Sequence, residues 1–443
     1  MRKRDEILEI FNAGLKAAEP FSAMQKVLNL DGNLLQVRIG NEIVQSYDVD
    51  QFSSVQVVGC GKAAAVMAEF TEILLGEKIS SGLVAVKHGY RGNNELEKIR
   101  LIEGGHPWPD QTSVNAASET VKMLGAAVES DLVIALVSGG GSSLWTLPAP
   151  GIQLEDLVSL SELLLRSGAD IREMNIVRKH FSRIKGGQAA QWAYPAHVLA
   201  VAISDVPDNS FSTIASGPFS PDESTFQDAA DILNRYSLKN AVPVSVSRYL
   251  QEGLEKGAGE TPKADNICFH NVLQVKAASN SSALDSCRRK AEEVGYKPIL
   301  IETPLTGEAS DAFSRIHGRI KELSVSGQKY CIIAGGETTV TLGEIHGQGG
   351  RNQELALSAA FQIEASPNIT FLSCSTDGSD GPTDAAGAVV DSYTIRDLRE
   401  RNIDPRKHLL EHNSYTALNA AGSLVRTGPT NTNVMDIQIA LIN

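Results

Sequence analysis

What most constrains this chain is a repeated change of period: short β-branched runs that end in glycine or polar residues, each followed by a stretch with helical spacing. Strands joined through helices lie side by side in one direction, because a parallel pair needs a crossover long enough to return to the same edge. After two helical segments around residues 4–30, Ser54–Val58, Gly82–Lys87, Leu132–Val137 and Val198–Ile203 read as strands, and 62–75, 111–129 and 153–167 as helices. The alternation restarts with strands at Val272–Ala277, Lys297–Ile301, Tyr330–Ala334, Thr370–Ser373 and Ile437–Leu441, and helices near 281–294, 308–324 and 352–365. Between Leu250 and Phe269 the segment QEGLEKGAGETPKADN loses apolar periodicity and gathers Gly, Pro and charge. The expected organisation is therefore α/β in two domains, 1–256 and 266–443.

A formal net charge of −13 argues against a general nucleic-acid surface, which needs a concentrated basic face. Five cysteines, widely spaced and without a CxxC pair, indicate neither a disulfide framework nor a zinc site, and a reducing cytoplasm is expected. The basic start MRKR runs into an amphipathic, acid-interrupted helix rather than the apolar core of a signal peptide, and no membrane association is expected.

Six places are candidates for chemistry. Ser373–Val390, SCSTDGSDGPTDAAGAVV, sets Asp377, Asp380 and Asp384 in a glycine-punctuated loop after an apolar run, an arrangement suited to Mg²⁺ or to accepting a proton. VQVVGCGKAAAVM places Gly59, Gly61 and then Lys62 at a strand-to-helix turn, where free backbone N–H groups attract anions. It resembles a dinucleotide-binding turn, but the next strand ends in Lys87 and His88 where an NAD site needs an acid for the ribose. LVIALVSGGGSSL runs a strand into Ser138, Gly139, Gly140, Gly141, Ser142 and Ser143, whose N–H groups and hydroxyls suit a phosphate cradle, while no Walker-type GxxxxGK[ST] occurs.

NIVRKHFSRIKGGQAA gathers Arg178, Lys179, Arg183 and Lys185, a counter-charge for a phosphorylated ligand, ahead of Asp205 and Asp208 at the end of a buried-type strand. In the second half Glu337 ends a strand and Arg351 closes a glycine loop, so both are expected to face the same cleft as Asp377. The turn TGPTNTNVMD crowds Thr427, Thr430, Asn431, Thr432 and Asn433 before the last strand.

In order along nearly the whole length, GCGKAA, GGHPWPD, SGGGSSL, VRKHFSRIKGGQAA, ISDVPDN, SGPFSPD, GGETTVT, GGRNQE, STDGSDGPTDAAGA and GPTNTNVMD resemble the glycerate 2-kinase family, some members of which carry the label hydroxypyruvate reductase. The resemblance implies a Rossmann-like first domain with a mostly parallel sheet, a smaller MOFRL-type α/β domain, and an active site in the cleft between them. It implies ATP-dependent phosphorylation of D-glycerate at the 2-hydroxyl with Mg²⁺, and leaves room for a homodimer.

By motif position the catalytic residues fall on Lys62, Asp205, Arg351 and Asp377. Gly59, Gly61, Ser138–Ser143, Lys185 and Glu337 are expected on the nucleotide side, and Asp205 and Asp377 as metal ligands. The ending departs from the family pattern: Asn431 stands for a glycine and Met435 for an asparagine. The alternatives are an NAD(P)H-dependent hydroxypyruvate reductase, which would use Gly59 and Gly61 for pyrophosphate, and a non-catalytic sugar-acid or sugar-phosphate binding protein.

Overall fold

The computed structural model describes residues 2–92, 95–324, 327–343 and 346–443. The chain forms two compact units, Ala23–Ala277 and Met1–Ser22 joined with Ala278–Asn443. The division thus falls at residue 277 rather than between 256 and 266, and the first residues belong with the last.

The unit Ala23–Ala277 begins with a small antiparallel sheet, β1 (Leu28–Asp31), β2 (Leu34–Ile39) and β3 (Glu42–Asp48). Its main sheet contains β4 (Ser54–Cys60), β5 (Ser81–Lys87), β6 (Ile99–Gly104), β7 (Asp131–Val137), β8 (His197–Ile203) and β9 (Val272–Ala278) in the order β6-β5-β4-β7-β8-β9. From β6 through β8 all neighbours are parallel. Every residue of β7 is buried, as expected for a strand covered on both faces. One face packs Val58, Val133, Ala135 and Ala200 under the helices Gln111–Ala126 and Gln188–Ala193. A separate helical layer, Leu154–Ser167, Ile171–His180, Phe226–Arg235 and Val244–Lys256, has its own core around Phe181 and Phe226. The strand order reverses between β4 and β7, and in such sheets the crevice beyond the carboxyl ends at that point receives ligands.

The other unit has β10 (Lys297–Leu300), β11 (Tyr330–Gly336), β12 (Ile369–Ser375), β13 (Gly387–Asp391), β14 (Leu424–Val425) and β15 (Asp436–Ile442), ordered β10-β11-β15-β12-β13-β14. The final strand inserts antiparallel between β11 and β12, so this sheet is mixed. On one face Ile332, Phe371 and Ala440 pack against the helices Ala309–Leu323 and Arg351–Ile363.

The helix Arg2–Ala18 belongs to this unit because Gly14 lets it pack closely on the helix Asn280–Glu293: a methyl at Gly14 would lie 2.6 Å from Cys287 Sγ and 3.0 Å from Ile437 Cδ1. Burial of Ile7, Ile10 and Phe11, each contributing about 1.5–3 kcal/mol, holds it there. Arg4 Nη2 also donates to the carbonyl of Leu424 at 2.9 Å, and Thr432 Oγ1 to that of Ala18 at 2.6 Å.

Candidate functional site

In the parallel unit, the loops after β4 and β7 are stitched together. Lys62 N donates to Gly139 O at 2.8 Å, Ser138 N to Cys60 O at 2.9 Å, and Ala63 N to Ser138 Oγ at 3.1 Å. Gly140 sits at φ +82°, a left-handed conformation a side chain resists. A methyl there would lie 2.9 Å from His106 Cδ2 and 3.3 Å from Lys62 Cγ, and one at Gly139 would collide with the Asp205 carboxylate. The glycines therefore bring Lys62, His106 and Asp205 around one stretch of bare backbone. Among the described residues, the N–H groups of Gly139, Gly140 and Ser142 have no acceptor, and neither does the Lys62 ammonium.

The serines do a different job from the one their sequence suggests. Ser138 Oγ accepts from Ala63 N, Ser143 Oγ donates to Gly140 O at 3.0 Å, and Ser142 Oγ is 2.8 Å from Ser216 Oγ. Their hydroxyls lock the two loops, and the cradle is lined by N–H groups instead.

Lys185 is also turned inward. Its ammonium donates to Trp145 O at 2.9 Å and to Ser142 O, so it lies under the cradle rather than in its concavity. Burial pulls its pKa down to about 7.

Burial raises the Asp205 carboxyl above its ordinary range, with Lys62 opposing the rise. The same burial, helped by the charges of Lys62 and Lys87, holds His106 down at about 4, so its ring is neutral at pH 7. Lys62, the Ser138–Ser143 loop and Asp205 follow β4, β7 and β8, three adjacent strands, at their carboxyl ends.

In the mixed unit, Arg351 opens the helix Arg351–Ile363 and grips Asp436 with two hydrogen bonds, Nε to Oδ2 at 2.7 Å and Nη2 to Oδ1 at 2.8 Å. Its Nη1 meets Glu337 at 2.9 Å. Glu337 and Arg351 do come together, and Asp377 is close enough that its charge acts on Asp436. Asp377 Oδ1 is held by Ser375 Oγ at 2.8 Å and Ser379 N at 3.0 Å.

The three loop acids do not converge. Asp380 is buried and accepts from Asn352 N at 3.1 Å and Gln353 N at 2.8 Å, so it caps the helix from outside, its usual N-terminal donors being otherwise unpaired. Burial pushes its pKa up to about 6 against those two donors. Asp384 is exposed and bound by Arg426 Nε at 2.9 Å and Tyr415 OH at 2.7 Å. A loop dense in acids was thus sorted by its neighbours into a half-buried residue held by Ser375 and Ser379, a cap and a surface pair.

Among the described residues no group of three or more His, Cys, Asp or Glu side chains is placed to hold a metal ion. Sequence reasoning grouped Asp380 with the loop acids that would meet a ligand, where packing makes it a helix cap, and it placed no role on Asp436. The signal for Asp436 was an acid opening an apolar strand, and for Asp380 a second DG pair ahead of a helix-capping need that only packing reveals.

Fold and site together define a two-unit α/β protein with a cradle of unpaired backbone N–H groups at the switch point of a parallel sheet. Residues 6–251 match the family model described as a domain of unknown function, DUF4147, and residues 330–436 match the MOFRL family. The chain is 42% identical to a glycerate 2-kinase of Pyrococcus horikoshii over 98% of this chain and 96% of that protein. It is 39% identical to a D-glycerate 2-kinase of Thermotoga maritima over 87% of this chain and 90% of that protein. A crystal structure of glycerate kinase from Thermotoga maritima superposes with a TM-score of 0.86 at 36% identity, covering all of both chains. The chain belongs to the glycerate kinase family with a MOFRL region.

All five cysteines are buried and unpaired. No helix among the described residues is long and apolar enough to cross a membrane.

Proposed function

We propose that the protein is a glycerate 2-kinase, transferring the terminal phosphoryl group of ATP to the 2-hydroxyl of D-glycerate. The observation that carries the reading is the cradle of Gly139, Gly140 and Ser142 N–H groups beside a Lys62 ammonium without a hydrogen-bond acceptor among the described residues, in a chain so similar along its length to a glycerate 2-kinase. Unpaired N–H groups and a cation are what polyphosphate oxygens require, and phosphoryl transfer depends mainly on positioning and charge.

In this reading Gly59 and Gly61 set the approach of the first loop, the Ser138–Ser143 backbone and Lys62 hold phosphate oxygens, and Lys185 acts through the loop it supports. Asp205, its pKa raised by burial, takes the proton of the attacking hydroxyl. Of the five guanidinium donors of Arg351, three are engaged by Asp436 and Glu337, and the remainder are available to a ligand oxygen. Mg²⁺ is usually bound by one or two carboxylates and completed by substrate phosphates, and Asp205 in the parallel unit or Asp377 in the mixed unit offers such a hard oxygen donor. When bound, it would neutralise phosphate charge.

The test is direct. With D-glycerate, ATP and Mg²⁺ the protein should release ADP, and phosphorus NMR should show a phosphate ester on the middle carbon. Oxidation of NADH with hydroxypyruvate, and no ADP, would replace the kinase reading with the reductase one.

A further inference from the structure

The basic cluster of the parallel unit contains four cations, and the structure gives three of them partners. Lys179 Nζ lies 3.1 Å from Asp222 Oδ1 in a buried pair, Arg183 stacks over Trp192 at 5.3 Å from the ring centre, and Lys185 donates to Trp145 O at 2.9 Å. Arg178 has no acceptor for its guanidinium among the described residues, yet it is only partly exposed. Burial draws its pKa down, and its charge in turn depresses Lys185. For Lys185 the Cys60 thiol opposes the fall, whereas burial alone acts on Arg178.

Its position explains what such a group is for. Arg178 sits one turn beyond Asn175 on the helix Ile171–His180. Asn175 Oδ1 accepts from Ser216 Oγ at 3.1 Å, and Ser216 Oγ is 2.8 Å from Ser142 Oγ, so Ser216 links this helix to the cradle loop. A guanidinium that has lost part of its hydration without gaining an acceptor is unfavourable, and a fork of donors matches the two oxygens of a carboxylate or phosphate. Perturbed, unpaired charges of this kind gather where ligands bind.

We propose that Arg178 is an oxyanion-binding residue of the cradle, its guanidinium receiving a pair of oxygens from a bound substrate. The choice of substrates in the test rests on the kinase reading above. In Arg178→Met, with D-glycerate and ATP varied separately, the KM of one substrate rises by about 10- to 100-fold, the loss expected for a charge-assisted hydrogen bond, and Arg178→Lys falls between. A rise confined to D-glycerate assigns the carboxylate, and one confined to ATP assigns a phosphate. The melting temperature of Arg178→Met stays level or increases, because the variant no longer holds an unpaired charge.

A parallel titration of D-glycerate and of pyrophosphate into the wild type and Arg178→Met reads the same contact without turnover, and weaker binding of one probe to the variant is expected. Wild-type protein that binds a probe but releases no ADP overturns the kinase reading and leaves this one standing. Unchanged KM values with unchanged probe binding, or a lower melting temperature with both KM values raised equally, overturn the assignment of Arg178.

Discussion

The two units use cations in opposite ways. In the parallel unit Lys62 and Arg178 have no acid or other acceptor within hydrogen-bonding reach among the described residues, and the backbone beside Lys62 keeps three N–H groups free. In the mixed unit the cation of the candidate site, Arg351, is held by Asp436, whose side chain is wholly buried, and by Glu337. A charge left unneutralised is an invitation to an anion, whereas a charge neutralised by a buried acid fixes geometry. The difference teaches that equal-looking basic residues in one sequence divide into ligand contacts and braces according to what the fold puts next to them.

The sharpest way to break this comparison is Lys62→Ala. It should lower kcat by about 100- to 1,000-fold, the cost of removing one group that stabilises developing charge, while the denaturation midpoint moves little because the ammonium makes no hydrogen bond and only opposes the raised pKa of Asp205. A large stability loss would show that Lys62 is a brace after all. Arg351→Met should behave in the reverse sense, costing about 3 kcal/mol in urea unfolding because it strands the buried Asp436. Equal stability of variant and wild type would put Arg351 in the same class as Lys62.

Asp380 tests the mixed unit by pH. Its folded pKa of about 6 exceeds the ordinary 3.8, so between those values the native state binds more protons than the unfolded chain. Stability should therefore fall as pH rises from 3.8 toward 6 and level off above, by about 2–3 kcal/mol from this group. Asp380→Asn should flatten that slope in urea titrations, and an unchanged slope would remove the assignment. The smallest effect is expected at exposed Asn431, which holds φ +56° where the family pattern has glycine. Asn431→Ala should cost about 1 kcal/mol, and Asn431→Gly much less, since only a residue with a full Cβ and no local hydrogen bond resists that conformation.

Much of the architecture was legible. The run VQVVGC became β4, DLVIALV became β7 and ITFLSCS became β12, because uninterrupted apolar β-branched runs bounded by glycine or polar residues have few other outcomes. The antiparallel hairpins of β1 to β3 went unread although Asp31-Gly32 and Gly40-Asn41 mark both turns, since the preceding helical period was carried too far. Of the candidate site, the glycine loops and Lys62 were readable from local pattern alone. The inward turn of Lys185, the division of labour among Asp377, Asp380 and Asp384, and the lone state of Arg178 were not.

The sequence by itself determined where strands and helices fall, which turns expose backbone N–H groups and which residue types stand beside them, because these follow from periodicity and backbone sterics within a few positions. Only the tertiary structure decided that the helix Arg2–Ala18 joins the carboxyl-terminal unit, that β15 enters its sheet antiparallel, and which charges are neutralised. Those outcomes depend on partners such as Arg4 with Leu424 or Arg351 with Asp436, far apart along the chain, and a charge acquires its role from the neighbours that folding delivers.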